Sequence, residues 1–126
     1  MDKIFVDTNI LIDFSKGKSD LLKLLFREQK SGGVALYINP VVIAEYFTDE
    51  RLASKEELEK AKNFINFFSL VYLSKKEGIL TGELMRKKEV EFIGDALIAS
   101  TCLINDFKLV TRNKKHFSKV PGLKFN

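Results

Sequence analysis

Three acidic residues stand in otherwise apolar stretches: Asp7 in IFVDTN, Glu45 in VVIAEYF and Asp95 in FIGDALIA. A carboxylate among apolar neighbours costs free energy to desolvate unless a metal ion or a basic group meets it. Three such acids in a short chain suggest that they meet at one place. Clustered carboxylates repel one another, and a hard, oxygen-seeking cation such as Mg²⁺ or Mn²⁺ relieves that repulsion. The chemistry indicated is binding of a divalent cation.

Each acid also has a purely structural interpretation. Asp7 could cap a helix that begins near Asn9, and Asp95 could interact with the positive end of its own helix. Both interpretations stay open for the individual aspartates. Glu45 is harder to explain in this way, because its apolar neighbours at 41–44 and 46–47 leave it little polar face. The joint occurrence of the three acids therefore favours a shared site.

Composition limits the kind of protein. The chain has 126 residues, of which 45% are hydrophobic and 30% charged, which predicts a single folded domain over residues 1–126. No stretch approaches the roughly 20 apolar residues that span a bilayer. The N-terminus MDKIFVD reaches an acid too early for a signal peptide. We therefore expect a cytoplasmic protein with no membrane association.

The chain has one cysteine and one histidine. These exclude an internal disulfide, a structural zinc site of the Cys/His kind and any acid–base mechanism that needs two histidines. Cys102 lies in the apolar run LIASTCLI and is expected to be a small buried hydrophobe. His116 stands beside Phe117, and a role in a turn or in packing is favoured over a catalytic one.

Positive charge is concentrated in the second half of the chain. Residues 1–70 hold 10 Lys/Arg and 11 Asp/Glu, a net charge of −1, whereas residues 71–126 hold 11 and 6, a net charge of +5. The basic groups could simply be solvated surface. Alternatively they contact a polyanion, because neutralisation of phosphates dominates non-specific affinity for nucleic acid.

Short β-type runs alternate with helical patterns, which is typical of an α/β domain with a parallel sheet covered on both faces. Strands are predicted at 3–6, 35–38, 70–73, 108–111 and 123–125. Helices are predicted at 9–15, about 20–30, from 40, from 54, from 75 towards 88, and about 94–105. The sequence predicts a three-layer arrangement in which a mostly parallel sheet of four or five strands is flanked by helices.

This arrangement would bring the acids together. In open α/β sheets, ligands bind beyond the carboxyl ends of the strands. Asp7 follows the first strand, Glu45 lies about a turn and a half into the helix after the second, and Asp95 begins a buried helix. Thr111 and Asn113 follow the fourth strand. One cleft is therefore expected to receive all of them.

Three further features have structural interpretations. Asp13 is close enough in sequence to Asp7 to face the cleft, but an exposed helix position is favoured. Gly17-Lys18-Ser19 imitates the end of a phosphate-binding loop, yet position 12 is Ile where the first glycine is required, so a turn is expected. The cluster of Phe64, Phe67 and Phe68 is expected to be core or a subunit contact.

Four motifs, in this order, resemble those of PIN-domain proteins: DTN at 7–9, the acid at 45, GDALIA at 94–99 and TRNKKHF at 111–117. Length and motif order are similar to the VapC-like toxins of bacterial and archaeal toxin–antitoxin pairs. The resemblance covers nearly the whole chain. Each motif is weak by itself, but the four together are fairly specific.

The resemblance implies an endoribonuclease that depends on Mg²⁺ or Mn²⁺, with Asp7, Glu45 and Asp95 as catalytic metal ligands. Its fourth ligand position, often Asp but also Asn, corresponds to Asn113. A neutral amide can still bind a metal or its water, although it contributes less charge, so the number of ions stays open between one and two. The ion would lower the pKa of a bound water for attack on phosphorus, and the products would carry a 5′-phosphate and a 3′-hydroxyl.

The resemblance also implies supporting roles. Carboxylates and water would be oriented by Thr8, Asn9 and Thr111. The RNA backbone would be held by Arg112, Lys114 and Lys115. A homodimer is expected, together with a small antitoxin whose C-terminal segment places a basic side chain over the acids. The alternative is a non-catalytic module that binds RNA or protein. A phosphoacceptor receiver domain is disfavoured, because the predicted third strand ends in Leu73-Ser74, with no aspartate.

Overall fold

In a computed structural model that describes all 126 residues, five parallel strands form one sheet flanked by six α-helices. The strands are β1 Asp2–Val6, β2 Val34–Ile38, β3 Ser69–Leu70, β4 Lys108–Val110 and β5 Lys124–Phe125. The helices are α1 Thr8–Ser15, α2 Leu21–Lys30, α3 Pro40–Tyr46, α4 Lys55–Ile65, α5 Lys75–Arg86 and α6 Ile93–Asn105. Two 3₁₀ turns cover Glu50–Ala53 and Lys114–Phe117. The predicted α/β class and parallel sheet are confirmed.

The strand order is β3-β2-β1-β4-β5, with every neighbouring pair parallel. The chain therefore leaves β1 towards β2 and β3 on one side and later fills the other side with β4 and β5. This makes the boundary between β1 and β4 a topological switch point, where α/β sheets open a crevice. Val6 is paired with Val110 across that boundary, so the residues that follow them, Asp7 and Thr111, leave the sheet side by side.

The core lies around the three inner strands, β2, β1 and β4, and α6. Phe5, Leu36 and Leu109 are fully buried in the sheet, and α6 packs its small, apolar face of Ala96, Ile98, Ala99 and Cys102. Cys102 is buried, as predicted. Burial raises the pKa of its thiol, and the nearby Asp7 raises it further, so the thiol stays protonated.

Helix starts follow the capping signals in the sequence. Asn39 precedes α3 and accepts a hydrogen bond from the Val42 amide at 3.0 Å, while its side-chain amide donates to Thr101 of α6. Ser74 and Glu77 form the predicted capping box of α5. Because Asn39 is fully buried, its two bonds fix the start of α3 against α6, and α3 is the helix that carries Glu45.

The third strand was predicted at 70–73 and this range is wrong. β3 covers only Ser69–Leu70; the Val71 amide still bonds to the Ile38 carbonyl, but Tyr72 is 73% exposed. β3 is an edge strand with a single neighbour, so the chain can leave it without breaking a second ladder. Other boundaries shift by one or two residues, which is the ordinary uncertainty of element ends. No helix is long and apolar enough to span a membrane.

Candidate active site

A cavity of about 440 Å³ opens at the carboxyl ends of the central strands. All four predicted ligand positions line it: Asp7, Glu45, Asp95 and Asn113. Thr8, Asn9, Phe92, Gly94 and His116 complete most of its wall. We call this cavity the acid cleft. It brings together Asp7 after β1 with residues of α1, α3, the start of α6 and the segment after β4, which are up to 109 positions apart in sequence.

Asp7 joins β1 to α1 and is 4% exposed. Its carboxylate accepts hydrogen bonds from the Thr8 amide and the Thr111 hydroxyl, both at 2.7 Å, and from the Asn9 side-chain amide at 3.3 Å. Asp7 therefore caps α1 and faces the acid cleft at once. The capping interpretation of this residue and its predicted role in the site are compatible.

Glu45 is exposed, although its sequence neighbours are apolar. Those neighbours lie on other faces of the short helix α3, so the expected desolvation of Glu45 is wrong. Its carboxylate accepts a bond from the Thr8 hydroxyl at 2.5 Å. On its other side lies Gly94, where a Cβ atom would come within 2.9 Å of Glu45 Oε2. Gly94 thus leaves the room that Glu45 occupies against the first turn of α6.

Asp95 lies in the first turn of α6, with its side chain 18% exposed. Its Oδ2 is 3.1 Å from Nδ1 of His116 in the 3₁₀ turn after β4. The prediction of a turn or packing role for His116 missed this contact. Residues i and i+3 of a 3₁₀ turn project from the same side, so the spacing of Asn113 and His116 was the available signal.

Electrostatics disfavour three ionised carboxylates in the acid cleft. Burial raises the pKa of Asp7, and repulsion from Asp95 adds to this, while hydrogen bonds from Thr111 and Thr8 act in the opposite direction. Burial also raises the pKa of Asp95, with a smaller contribution from Glu45, against the lowering effect of His116. The cleft therefore favours a proton or a cation beside its carboxylates.

The donor set fits a hard divalent cation, because three carboxylates and one carboxamide are oxygen ligands of the kind that Mg²⁺ and Mn²⁺ prefer. As the side chains stand, no three acidic, histidine or cysteine groups are close enough to enclose an ion. Each carboxylate is instead directed to a protein donor: Asp7 to Thr111, Glu45 to Thr8, and Asp95 to His116.

The three predicted supporting residues contact the acids. Thr111 donates to Asp7, and its oxygen lies 3.0 Å from the Asn113 amide and 3.3 Å from the Asn9 side-chain amide. Thr8 bridges Asp7 and Glu45 through its amide and its hydroxyl. Asn9 also accepts from the Arg112 amide at 3.1 Å. This network links α1 to the segment after β4, so it fixes the geometry of one wall of the cleft.

The predicted RNA-binding residues line a cavity of about 400 Å³ that adjoins the acid cleft: they are Arg112, Lys114 and Lys115. Thr111, Asn113 and His116 complete the lining of this cavity. The predicted exposed position of Asp13 is wrong, because its side chain is only 12% exposed and pairs with Arg112 at 2.5 Å. Asp13 thereby offsets part of the charge that Arg112 would offer to a phosphate. Lys114 lies 5.7 Å above the Phe125 ring, whereas Lys115 forms no ion pair.

An acid-lined crevice at the switch point of a parallel sheet defines an α/β protein with a candidate metal and phosphate site. The PIN domain family matches residues 4–123, and this chain belongs to that family. Ribonuclease VapC1 of Methanocaldococcus jannaschii is 34% identical over 129 aligned positions, which cover 97% of this chain and 85% of that protein. Ribonuclease VapC of Rickettsia bellii is 27% identical, over 95% and 92% of the two chains.

Solved structures agree with these sequence relatives. A chain of the DNA-bound VapBC from Salmonella typhimurium matches with a TM-score of 0.83 and 26% identity, over 100% of this chain and 98% of that one. A chain of VapBC2 from Rickettsia felis, bound to a DNA fragment from its promoter, gives a TM-score of 0.77 at 25% identity, over 98% and 97%. The predicted family and fold are confirmed.

Proposed function

We propose that this chain is an endoribonuclease that hydrolyses RNA phosphodiester bonds with metal-activated water, and that it acts as the toxin of a toxin–antitoxin pair. The observation that carries the proposal is the convergence of Asp7, Glu45, Asp95 and Asn113 on one cavity of a PIN domain. Relatives that align over nearly the whole chain bear the name ribonuclease VapC, which supports RNA as the substrate.

In this proposal, Asp7, Glu45 and Asp95 hold Mg²⁺ or Mn²⁺, and Asn113 contributes a neutral oxygen. When bound, the ion lowers the pKa of a water molecule and stabilises charge that develops on the phosphate. Hydrogen bonds from the Thr8 amide and the Thr111 hydroxyl orient the Asp7 carboxylate. No second histidine is needed, which agrees with the composition of the chain.

Basic residues beside the acid cleft would hold the RNA backbone. Lys115 and Lys114 are exposed at the rim, and Arg112 reaches the same cavity from its pair with Asp13. Contacts of this kind position a phosphate without reading its sequence. Cleavage in this arrangement would leave a 5′-phosphate and a 3′-hydroxyl.

An antitoxin partner and a homodimer complete the proposal. The similar chains of Salmonella typhimurium and Rickettsia felis come from structures of VapBC bound to DNA. For this chain we expect an antitoxin segment that places a basic side chain near Asp7, Glu45 and Asp95, where it would satisfy the carboxylates in place of an ion. Solution scattering tests the dimer: a particle twice the mass of the 14.4 kDa chain is expected, and a monomer contradicts it.

The catalytic proposal is tested by RNA cleavage with the purified chain free of partners. Cleavage is expected with Mg²⁺ or Mn²⁺ and is expected to disappear in EDTA and in Asp95→Asn. Asp106→Asn is the matched control, because Asp106 is exposed at the end of α6 and pairs only with Lys124. Cleavage by Asp95→Asn in EDTA would overturn the proposal. A folded protein that binds metal but cuts no RNA would instead indicate a non-catalytic binding module.

A further inference from the structure

A third, smaller cavity of about 160 Å³ shares a wall with the acid cleft. Phe92 and His116 line both cavities. The remaining lining of the smaller cavity is charged: Lys88, Glu89, Glu91, Lys115 and Lys119. Three lysines against two glutamates give it a formal excess of one positive charge. None of the three lysines forms an ion pair, whereas Lys60, Lys62 and Lys87 elsewhere on the surface do.

The shared wall is aromatic and open to solvent. Phe92 directly precedes α6 and is 54% exposed, although most phenylalanine rings of the chain pack against the core. Its ring centroid lies 5.9 Å from that of His116, with 49° between the ring planes. His116 is fixed in turn by the bond from Nδ1 to Asp95. An aromatic face is therefore held at the border between an acidic and a basic cavity.

This combination matches the chemistry of an unpaired nucleotide. Bases stack on aromatic side chains, and lysines contact the phosphates on either side of the stacked base. A phosphate positioned at the carboxylates of the acid cleft would leave the neighbouring nucleotide next to Phe92. Lys115 and Lys119 would then face its backbone. A purely apolar ligand could stack on the ring but would leave the lysines without an anionic partner. An acidic protein surface could contact the lysines but would not stack on the ring.

We propose that Phe92 and His116 form the wall of a nucleotide subsite, in which the base adjacent to the cleaved phosphate stacks on Phe92 while Lys115 and Lys119 contact its backbone. This inference rests on the proposed ribonuclease function, because it assumes that the cleaved phosphate lies at the acid cleft. It assigns Phe92 and Lys119 to the RNA interface.

Tryptophan fluorescence tests the subsite without cleavage. The chain contains no tryptophan, so Phe92→Trp introduces a single probe at the shared wall. Phe67→Trp is the matched control, because Phe67 is 60% exposed and packs against Phe26, away from both cavities. Both are made with Glu45→Gln, which prevents cleavage by removing the charge of a proposed metal ligand, and are titrated with a short single-stranded RNA of mixed sequence. Saturable quenching is expected for Phe92→Trp alone. Equal quenching, or no RNA binding, would overturn the subsite.

Cleavage kinetics separate this inference from the proposed function. Phe92→Leu keeps an apolar side chain but removes the ring, and it is expected to raise KM about tenfold with a smaller change in kcat. Phe92→Tyr, which restores a ring, is expected to recover the wild-type KM, and Phe67→Leu is expected to leave it unchanged. A wild-type chain that cuts no RNA refutes the function. A wild-type chain that cuts RNA while Phe92→Leu behaves as Phe67→Leu refutes the subsite alone.

Discussion

The acid cleft and a neighbouring aromatic groove both use residues of α1 and α3, but three carboxylates line the cleft, whereas three aromatic side chains line the groove. Glu45 of α3 lines the cleft, and the next residue, Tyr46, lines the groove. The groove has a volume of about 270 Å³. Phe14 and Phe64 stack there with centroids 5.5 Å apart, and Tyr46 lies 5.6 Å from Phe64.

The difference shows how function can be separated from packing. Every aromatic residue of the groove gains stability by contact. Its two ion pairs, Asp49 with Arg51 and Glu57 with Lys60, lie at the surface. In the cleft, Asp7 and Asp95 are held where burial raises the pKa of each carboxyl. These two buried carboxylates cost stability and add no apolar packing, which is typical of groups that are kept for binding or catalysis.

The largest effect is expected from Asp7→Asn. Loss of this carboxylate should reduce RNA cleavage by at least about a hundredfold, since even residues that only orient metal ligands cost 10–100-fold. The same change should raise stability in EDTA by about 1 kcal/mol, because a neutral amide costs less free energy to desolvate than a carboxylate. Cleavage assays and thermal melts check the two parts. If the variant loses both activity and stability, the Asp7 carboxylate stabilises the fold and does not cost stability as proposed for the acid cleft.

The stability gain of Asp7→Asn should depend on pH in a definite direction. The folded pKa of Asp7 lies above its ordinary value of 3.8. The folded state therefore binds more protons than the unfolded state in the window between these values, and the wild-type chain loses stability as pH rises through the folded pKa. Melts of both proteins across that window should diverge as pH increases. If the difference in stability between the two proteins stays constant with pH, the charge of Asp7 is not the cause of the stability gain.

A smaller loss of activity is expected from Gly94→Ala. The added methyl group would lie 2.9 Å from Glu45 Oε2 and would push the carboxylate off its bond to Thr8. Cleavage should fall about tenfold, because misplacement of a reacting group by about 1 Å costs up to a hundredfold. Gly82→Ala in α5 is the matched control, since a methyl group there meets no atom within 4 Å. Equal activity of the two variants would mean that Glu45 needs no fixed position.

The groove should respond in the opposite way. Phe64→Ala should lower the free energy of unfolding by about 2–3 kcal/mol, less than the roughly 3–5 kcal/mol for a fully buried aromatic ring, because Phe64 is only partly buried. The rate of RNA cleavage per folded molecule should stay at the wild-type value. Denaturant unfolding and active-site titration measure these separately. A fall in rate at unchanged stability would show that the groove takes part in the chemistry.

The smallest effect is expected at the Asp49–Arg51 ion pair of the groove. Hydrogen bonds from Arg51 lower the pKa of Asp49 to about 2, but both side chains are exposed, so solvent screens the pair. Asp49→Asn should leave the melting temperature at neutral pH and the cleavage rate unchanged within error. A clear drop in either would require a contact with a partner or substrate at this edge of the groove.

Much of the fold could be predicted because local signals agree with the global topology. The caps at Asn39, Ser54 and Ser74 and the alternation of strand and helix patterns place nearly every element. The third strand was misplaced because Leu70–Leu73 is apolar throughout, and nothing in that run reveals that the chain leaves the sheet edge after Leu70.

The site was predictable as a set of acids but not as a set of contacts. Asp13 was expected to be exposed, since its partner Arg112 is 99 residues away and only the fold brings them together. Glu45 was expected to be desolvated, because sequence neighbours on a short helix were taken as spatial neighbours. His116 looked like part of a turn, and its bond to Asp95 depends on how α6 packs beside the 3₁₀ turn.

Equilibrium binding of Mn²⁺ in the absence of RNA tests most directly whether the acid cleft binds a divalent cation. Isothermal titration of the wild-type chain should give saturable binding that is lost in Glu45→Gln and Asp95→Asn and kept in Asp106→Asn. All four proteins should remain folded by circular dichroism. If Mn²⁺ binding persists unchanged in Glu45→Gln and Asp95→Asn, or if the wild-type chain does not bind Mn²⁺, the acid cleft is not a binding site for a divalent cation.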